Sequence, residues 1–211
     1  MNHPRPGPVV GFKVLYEVLP SQDASELYEV VIKLSIYMLA VDDFVMGRPR
    51  AQSLKRLANQ RNYVQHCLML KCPDETDRDL GESQPFYSIT WLAAVIYSLI
   101  TVFPIPHWTA PFAQLSLQIK HSISSLTIHT RWREASSLML WVTVMGALAA
   151  ANLPERSWYI SVLERLTNRL NIASWDDMRT ELQRFLWYNN VSEPDGQRLW
   201  KEIRKSSPFS G

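Results

Sequence analysis

The sequence predicts an all-α fold, an irregular multi-helix bundle, on three observations. Apolar residues recur with helical period: Leu27, Val30, Val31, Leu34, Tyr37, Met38 and Val41 follow i, i+3, i+4, i+7 spacing and so share one face of a helix. Prolines divide the chain into helix-length pieces: Pro20, Pro49, Pro73, Pro85, Pro104, Pro106, Pro111, Pro154 and Pro194 fall between apolar runs. A residue without an amide hydrogen bounds a helix more readily than it continues one. Large aromatics are spread one per helix-sized segment, with Trp132, Trp141, Trp158, Trp175, Trp187 and Trp200 all in the C-terminal part, as expected of helices closing over a shared core.

Taken in order, Val9–Leu19 fits a strand and a helix equally well, and residues 1–20 read as a flexible N-terminal segment. The stripe from Leu27 to Val41 is the first long helix. Leu54, Leu57 and Val64 then alternate with Arg48, Arg50, Lys55, Arg56 and Arg61, the pattern of an amphipathic helix with a solvated basic face. The stretch 72–85, CPDETDRDLGESQP, carries Asp74, Glu75, Asp77, Asp79 and Glu82 and reads as an acidic, solvated loop. Between Glu82 and Lys120 there is no charged side chain, and Phe86–Phe103 approaches the length of a membrane span. Ser88, Thr90, Ser98 and Thr101 dilute it and basic flanks are missing, so it reads as a buried core helix.

Phe112, Leu115, Ile119, Ile123 and Leu126 form a second stripe, Leu138–Ala151 is a second apolar run too short to span a bilayer comfortably, and Tyr159, Val162, Leu163, Leu166 and Leu170 form a third stripe. Met178, Leu182, Phe185 and Leu186 form a fourth, preceded by Ser174 and Asp177 as a capping pair. Pro194 is expected in the first turn of the last helix. The helical domain is thus expected over 21–205, with a C-terminal tail at 206–211.

Composition narrows the function. The chain is 46% hydrophobic, enough for a sizeable core. Lys plus Arg number 22 against 20 acids, a net charge of +2, which leaves no global electrostatic footprint for nucleic acid. Cys67 and Cys72 are the two cysteines, no disulfide scaffold and easier to place in a reducing compartment. The opening MNHPRPGP lacks the apolar core of a secretory signal.

Sites of known chemistry are not evident. His66, Cys67 and Cys72 supply too few ligands for a structural zinc. Asp42 and Asp43 invite comparison with magnesium-binding carboxylates, but the next turn offers Met46; paired acids at an exposed helix end are the simpler expectation. His107, His121 and His129 have no nucleophile beside them, and no Gly-x-Ser-x-Gly elbow or phosphate-cradling Gly-rich loop occurs. No catalytic, cofactor-binding or metal-binding residue is therefore assigned.

The order of blocks carries more. RNYVQHCLML (61–70), IYSLITVFPIP (96–106), LMLWVTVMGALAA (138–150), PERSW (154–158), SWDDMRTELQRFLW (174–187) and QRLWKEI (197–203) occur in that sequence. Together they resemble the C-terminal regulatory region of fungal zinc-cluster transcription factors, over Leu27 to Ile203. The resemblance implies a fungal-specific transcription factor domain, hence a nuclear regulator or co-regulator of transcription, with secondary-metabolite gene clusters as a target class. The family's DNA-binding module holds two zinc ions with six cysteines, which this sequence lacks. Action through a zinc-cluster factor or another regulatory protein is thus implied, with room for a small-molecule effector, and neither direct sequence-specific DNA binding nor a membrane role is expected. The alternative is a small-molecule-binding or catalytic helical protein of a biosynthetic pathway on the same scaffold, with an aromatic cavity near Trp91, Trp141 and Trp187.

Overall fold

A 3-10 turn, Val10–Val14, leads into the one-turn helix α1 (Leu15–Val18) and then into the long α2 (Ser21–Val45). There follow α3 (Leu54–Leu70), α4 (Gln84–Thr101), α5 (Ala110–Leu126), α6 (Ser136–Ala149), α7 (Arg156–Arg169), α8 (Trp175–Leu182) and α9 (Asn189–Ser206). The structure, a computed structural model, describes residues 9–73, 84–106, 109–126 and 135–206. Among these the fold is all-α: nine α-helices pack together and no strand occurs.

Two helices organise the rest. In α6 every residue from Leu138 to Ala149 is buried. In α4 the run from Ile89 to Ser98 is buried as well. A helix apolar on all sides needs partners on all sides. α4 packs against α2, α3, α5, α6 and α9, and α6 against α5, α7, α8, α9 and the 3-10 turn. Their hydroxyls enter the core with acceptors in reach: Thr90 donates to the Phe86 carbonyl at 2.7 Å and Thr143 to that of Met139 at 2.6 Å, while Ser98 donates to Gln65 Oε1 of α3 at 2.5 Å. No helix among the described residues is long and apolar enough to cross a membrane.

The first three stripes are where the spacing places them, the Leu126 side chain lying outside the described residues. Leu27, Val30, Val31, Leu34, Tyr37 and Met38 are buried, as are Phe112, Ile119, Ile123, Tyr159, Val162, Leu163 and Leu166, while Val41, Leu115 and Leu170 are partly buried beside them. Ser174 caps α8, its Oγ accepting from the Asp177 amide at 3.1 Å while Asp177 Oδ2 accepts from the Ser174 amide at 2.9 Å. The close approach of α6 and α7 depends on Gly146, where an added Cβ would lie 2.5 Å from the Tyr159 ring. The Tyr159 hydroxyl in turn donates to the Ser116 carbonyl of α5 at 2.6 Å.

Three expectations are corrected. The N-terminal segment expected to be flexible over 1–20 is, from Val9 on, part of the core: Phe12, Leu15 and Val18 are fully buried. The Gly11 amide donates to the Arg184 carbonyl at 2.8 Å, and a Cβ at Gly11 would lie 2.7 Å from the Phe185 ring, so glycine permits this docking. Pro194 lies inside α9, which begins at Asn189; the helix starts earlier because the Tyr188 carbonyl accepts from the Val191 and Ser192 amides. Phe185 and Leu186, counted in the fourth stripe, lie beyond the end of α8 yet are buried. Most of the acidic loop (74–83) and residues 207–211 of the tail lie outside the described residues, and Ser206 ends α9.

Trp141 joins these parts. It is fully buried, its Nε1 donates to the Leu186 carbonyl at 2.8 Å, and its ring meets Phe12 edge-on at 4.9 Å and stacks on Phe185 at 6.0 Å. Trp141→Ala should lower the unfolding free energy by about 3–5 kcal/mol, read from urea denaturation; a change within error would contradict this packing.

Candidate functional site

Asp42 and Asp43 sit in the last turn of α2, and the sequence reading expected both at an exposed helix end. Asp42 is instead 2% exposed. The cause is the turn that follows. Gly47 has a φ of +60°, and the Gly47 and Arg48 amides donate to the Phe44 and Asp43 carbonyls at 3.1 and 2.9 Å, the six-residue closure that a left-handed glycine permits. The chain reverses and Arg48 folds back, placing Nη2 3.1 Å from Asp42 Oδ2 and Nη1 against Asp43. The Tyr188 hydroxyl, at the start of α9, donates to Asp42 Oδ1 at 3.5 Å and accepts from Asn190 at 2.9 Å. Burial pushes the Tyr188 phenol above its ordinary value, and the Asp42 charge adds to this, so it remains a donor at neutral pH. The cluster holds the α2–α3 turn to the C-terminal part of the chain.

The other titratable candidates do not converge. His66 and Cys72 are exposed, Cys67 is half-buried with its sulfur 3.8 Å from Lys33 Nζ, and both thiols are free. His121 is exposed, and His107 and His129 lie outside the described residues. Among the described residues no three His, Cys, Asp or Glu side chains are arranged to hold a metal ion.

The three indoles proposed to line one cavity are packed against different partners. Trp91 donates to the Leu68 carbonyl of α3 at 2.9 Å, Trp141 is held as described, and Trp187 meets Trp175 at 6.1 Å. A cleft of 350 Å³ lies elsewhere, between α6, α7 and α9, bordered by Asn152, Arg156, Arg198 and Glu202. Its Arg156 is already engaged in a fork, Nε and Nη2 lying 2.9 and 3.0 Å from the two Glu202 carboxylate oxygens.

Compared with known proteins, the chain matches no family model, no curated protein and no solved structure.

The basic stretch divides by position. Arg48 is in the buried cluster, and the Arg61 guanidinium lies over the Phe103 ring at 4.4 Å. Arg50, Lys55 and Arg56 are exposed. Leu57 and Val64 are buried as expected, but Leu54, read as part of the same apolar face, is 68% exposed. Phe44, Val45, Met46 and Tyr63 are exposed too. Tyr63 and Arg56, with Gln52, Asn59 and Gln60, line a groove of 360 Å³. Sequence reasoning missed this surface, although one signal was present: no Asp or Glu occurs from Phe44 to Pro73.

Both ends of α3 are fixed on α2. At the far end Lys71 Nζ lies 2.9 Å from Glu26 Oε2, and this hydrogen bond holds the Glu26 carboxyl below its ordinary value of 4.5. A lowered folded value means the contribution is complete above pH 4.5 and fades as pH falls through the folded value. The stability difference between wild type and Glu26→Gln should therefore be constant near neutrality and vanish in acid, measured by urea midpoints across pH. At the near end, Arg48→Met should cost about 3 kcal/mol, because it strands the buried Asp42 charge; the pair Asp42→Asn with Arg48→Met should cost less, measured in the same way.

Proposed function

We propose that the chain is a nuclear regulator or co-regulator of fungal gene transcription, of the zinc-cluster class, with secondary-metabolite gene clusters as its target class. The observation that carries this reading is the ordered resemblance between Leu27 and Ile203. The blocks behind it are also structural units: RNYVQHCLML lies in α3, IYSLITV closes α4, LMLWVTVMGALAA is α6 with its approach to the next turn, PERSW opens α7, SWDDMRTEL is capped α8, and QRLWKEI is in α9. Blocks that coincide with helices of this chain support reading the resemblance as one of scaffold, and the regulatory role follows by analogy.

In this reading the chain works through a partner. Its two cysteines cannot hold a pair of zinc ions, and Arg50, Lys55 and Arg56 are a small exposed basic set. Phosphate contacts from so few cations are weak, fade with salt and carry no base information. Promoter selectivity then belongs to a second protein that reads the major groove. The test is a gel-shift titration on promoters of the gene cluster, with and without candidate zinc-cluster factors. The expected result is a selective supershift only when the partner is present. Tight, sequence-selective binding by the chain alone at physiological salt would overturn the proposal, as would unchanged transcripts in a deletion strain.

A further inference from the structure

We infer that the outer face of the α2–α3 hairpin docks an acidic segment of a partner protein that also carries large apolar side chains. The inference rests on reading the chain as a protein that acts through partners, and it names the surface and the chemistry of that partner.

Charge is the first argument. From Phe44 to Pro73 the chain has Arg48, Arg50, Lys55, Arg56, Arg61 and Lys71 and no acid at all. Three of these have internal roles: Arg48 on Asp42 and Asp43, Lys71 on Glu26, and Arg61 over Phe103. Arg50, Lys55 and Arg56 make no ion pair among the described residues. Lys55 and Arg56 occupy the first turn of α3, just after its cap Ser53, and that turn holds no acid. The positive end of the helix dipole disfavours cations at this position. A local rule broken with no compensating ion pair among the described residues marks a functional surface.

Apolar exposure is the second. Leu54, in the same helical turn, is 68% exposed, and Val45, at the end of α2, is 62% exposed. Phe44, Met46 and Tyr63 add to them. Arg56 and Tyr63 also line a groove with Gln52, Asn59 and Gln60, and among the described residues the buried Oε1 atoms of Gln52 and Gln60 have no hydrogen-bond partner. Large apolar side chains interleaved with cations complement a segment that is both acidic and apolar. A nucleic-acid backbone would neutralise the cations but leave Val45 and Leu54 uncovered, so a protein segment is favoured.

The test is fluorescence anisotropy with the full chain. The probe is a short labelled peptide of alternating acidic and large apolar residues, compared with a poly-glutamate peptide of equal charge and a labelled DNA duplex. The mixed peptide should bind best, with an affinity that weakens with salt. Lys55→Glu with Arg56→Glu should weaken it by about tenfold or more, and Val45→Ser with Leu54→Ser by a similar factor. The charge reversal should melt no lower than wild type, because acids suit the first turn of a helix; lost binding in a protein of equal or higher stability supports the surface directly. Equal affinity of the charge-reversed and wild-type chains would overturn the inference. So would poly-glutamate binding as tightly as the mixed peptide, or the duplex binding more tightly than either. If Lys55→Glu with Arg56→Glu leaves partner-dependent promoter recruitment intact, this surface is wrong and the regulatory reading stands. If peptide binding behaves as expected but wild type is never recruited with any factor, the surface stands and the regulatory reading fails.

Discussion

Two helices that are apolar on every side, α4 and α6, set the terms for the rest of the molecule. Neither can face water along any stripe, so each requires a complete jacket of other helices. α5 covers both, α2 and α3 cover α4, and α7 and α8 cover α6, with α9 lying across the pair. The jacket helices are amphipathic because one of their faces meets this core and the other meets solvent. The absence of charge between Glu82 and Lys120 thus follows from position: that part of the chain supplies the centre and one side of its cover.

The jacket closes through few, specific joints. Trp141 ties α6 to the 3-10 turn through Phe12 and to the segment after α8 through Phe185 and the Leu186 carbonyl. Asp42 and Arg48 tie the α2–α3 turn to Tyr188 at the start of α9, and Glu26 with Lys71 ties the other end of α3 to α2. The hairpin that presents Val45, Leu54, Lys55 and Arg56 is therefore held at both ends. A surface already ordered in the free protein loses little conformational entropy when a partner covers it. The buried joints and the exposed face are parts of one arrangement, in which the core fixes the hairpin and the hairpin displays the exposed cations Lys55 and Arg56.

Periodic apolar positions were legible in the sequence because burial of one helix face writes its own spacing; the Leu27 and Tyr159 stripes and the Ser174–Asp177 cap are of this kind. What was not legible depends on contacts distant along the chain. Val9–Leu19 is ambiguous alone and becomes helical core because Gly11 meets Arg184 and Phe12 meets Trp141. Asp42 reads as a surface acid until Gly47 reverses the chain and delivers Arg48. Pro194 reads as a helix start because a proline is tolerated there, and only the Tyr188 carbonyl shows that the helix begins earlier. Leu54 shares the stripe of Leu57, Val64 and Leu68 by spacing yet faces water, because it is the first residue of α3, at the end of the face that the helix buries.

α4 and α6 form the shared core around which the other helices are arranged. Native-state hydrogen exchange tests this most directly, because amides that open only with the whole protein are distinguished from those that open locally. Amides of residues 89–98 in α4 and 138–149 in α6 should exchange only through global unfolding, with the same free energy and the same denaturant dependence as the complete protein. Exchange of either helix through a smaller opening, while α2 and α3 remain protected, would contradict the account.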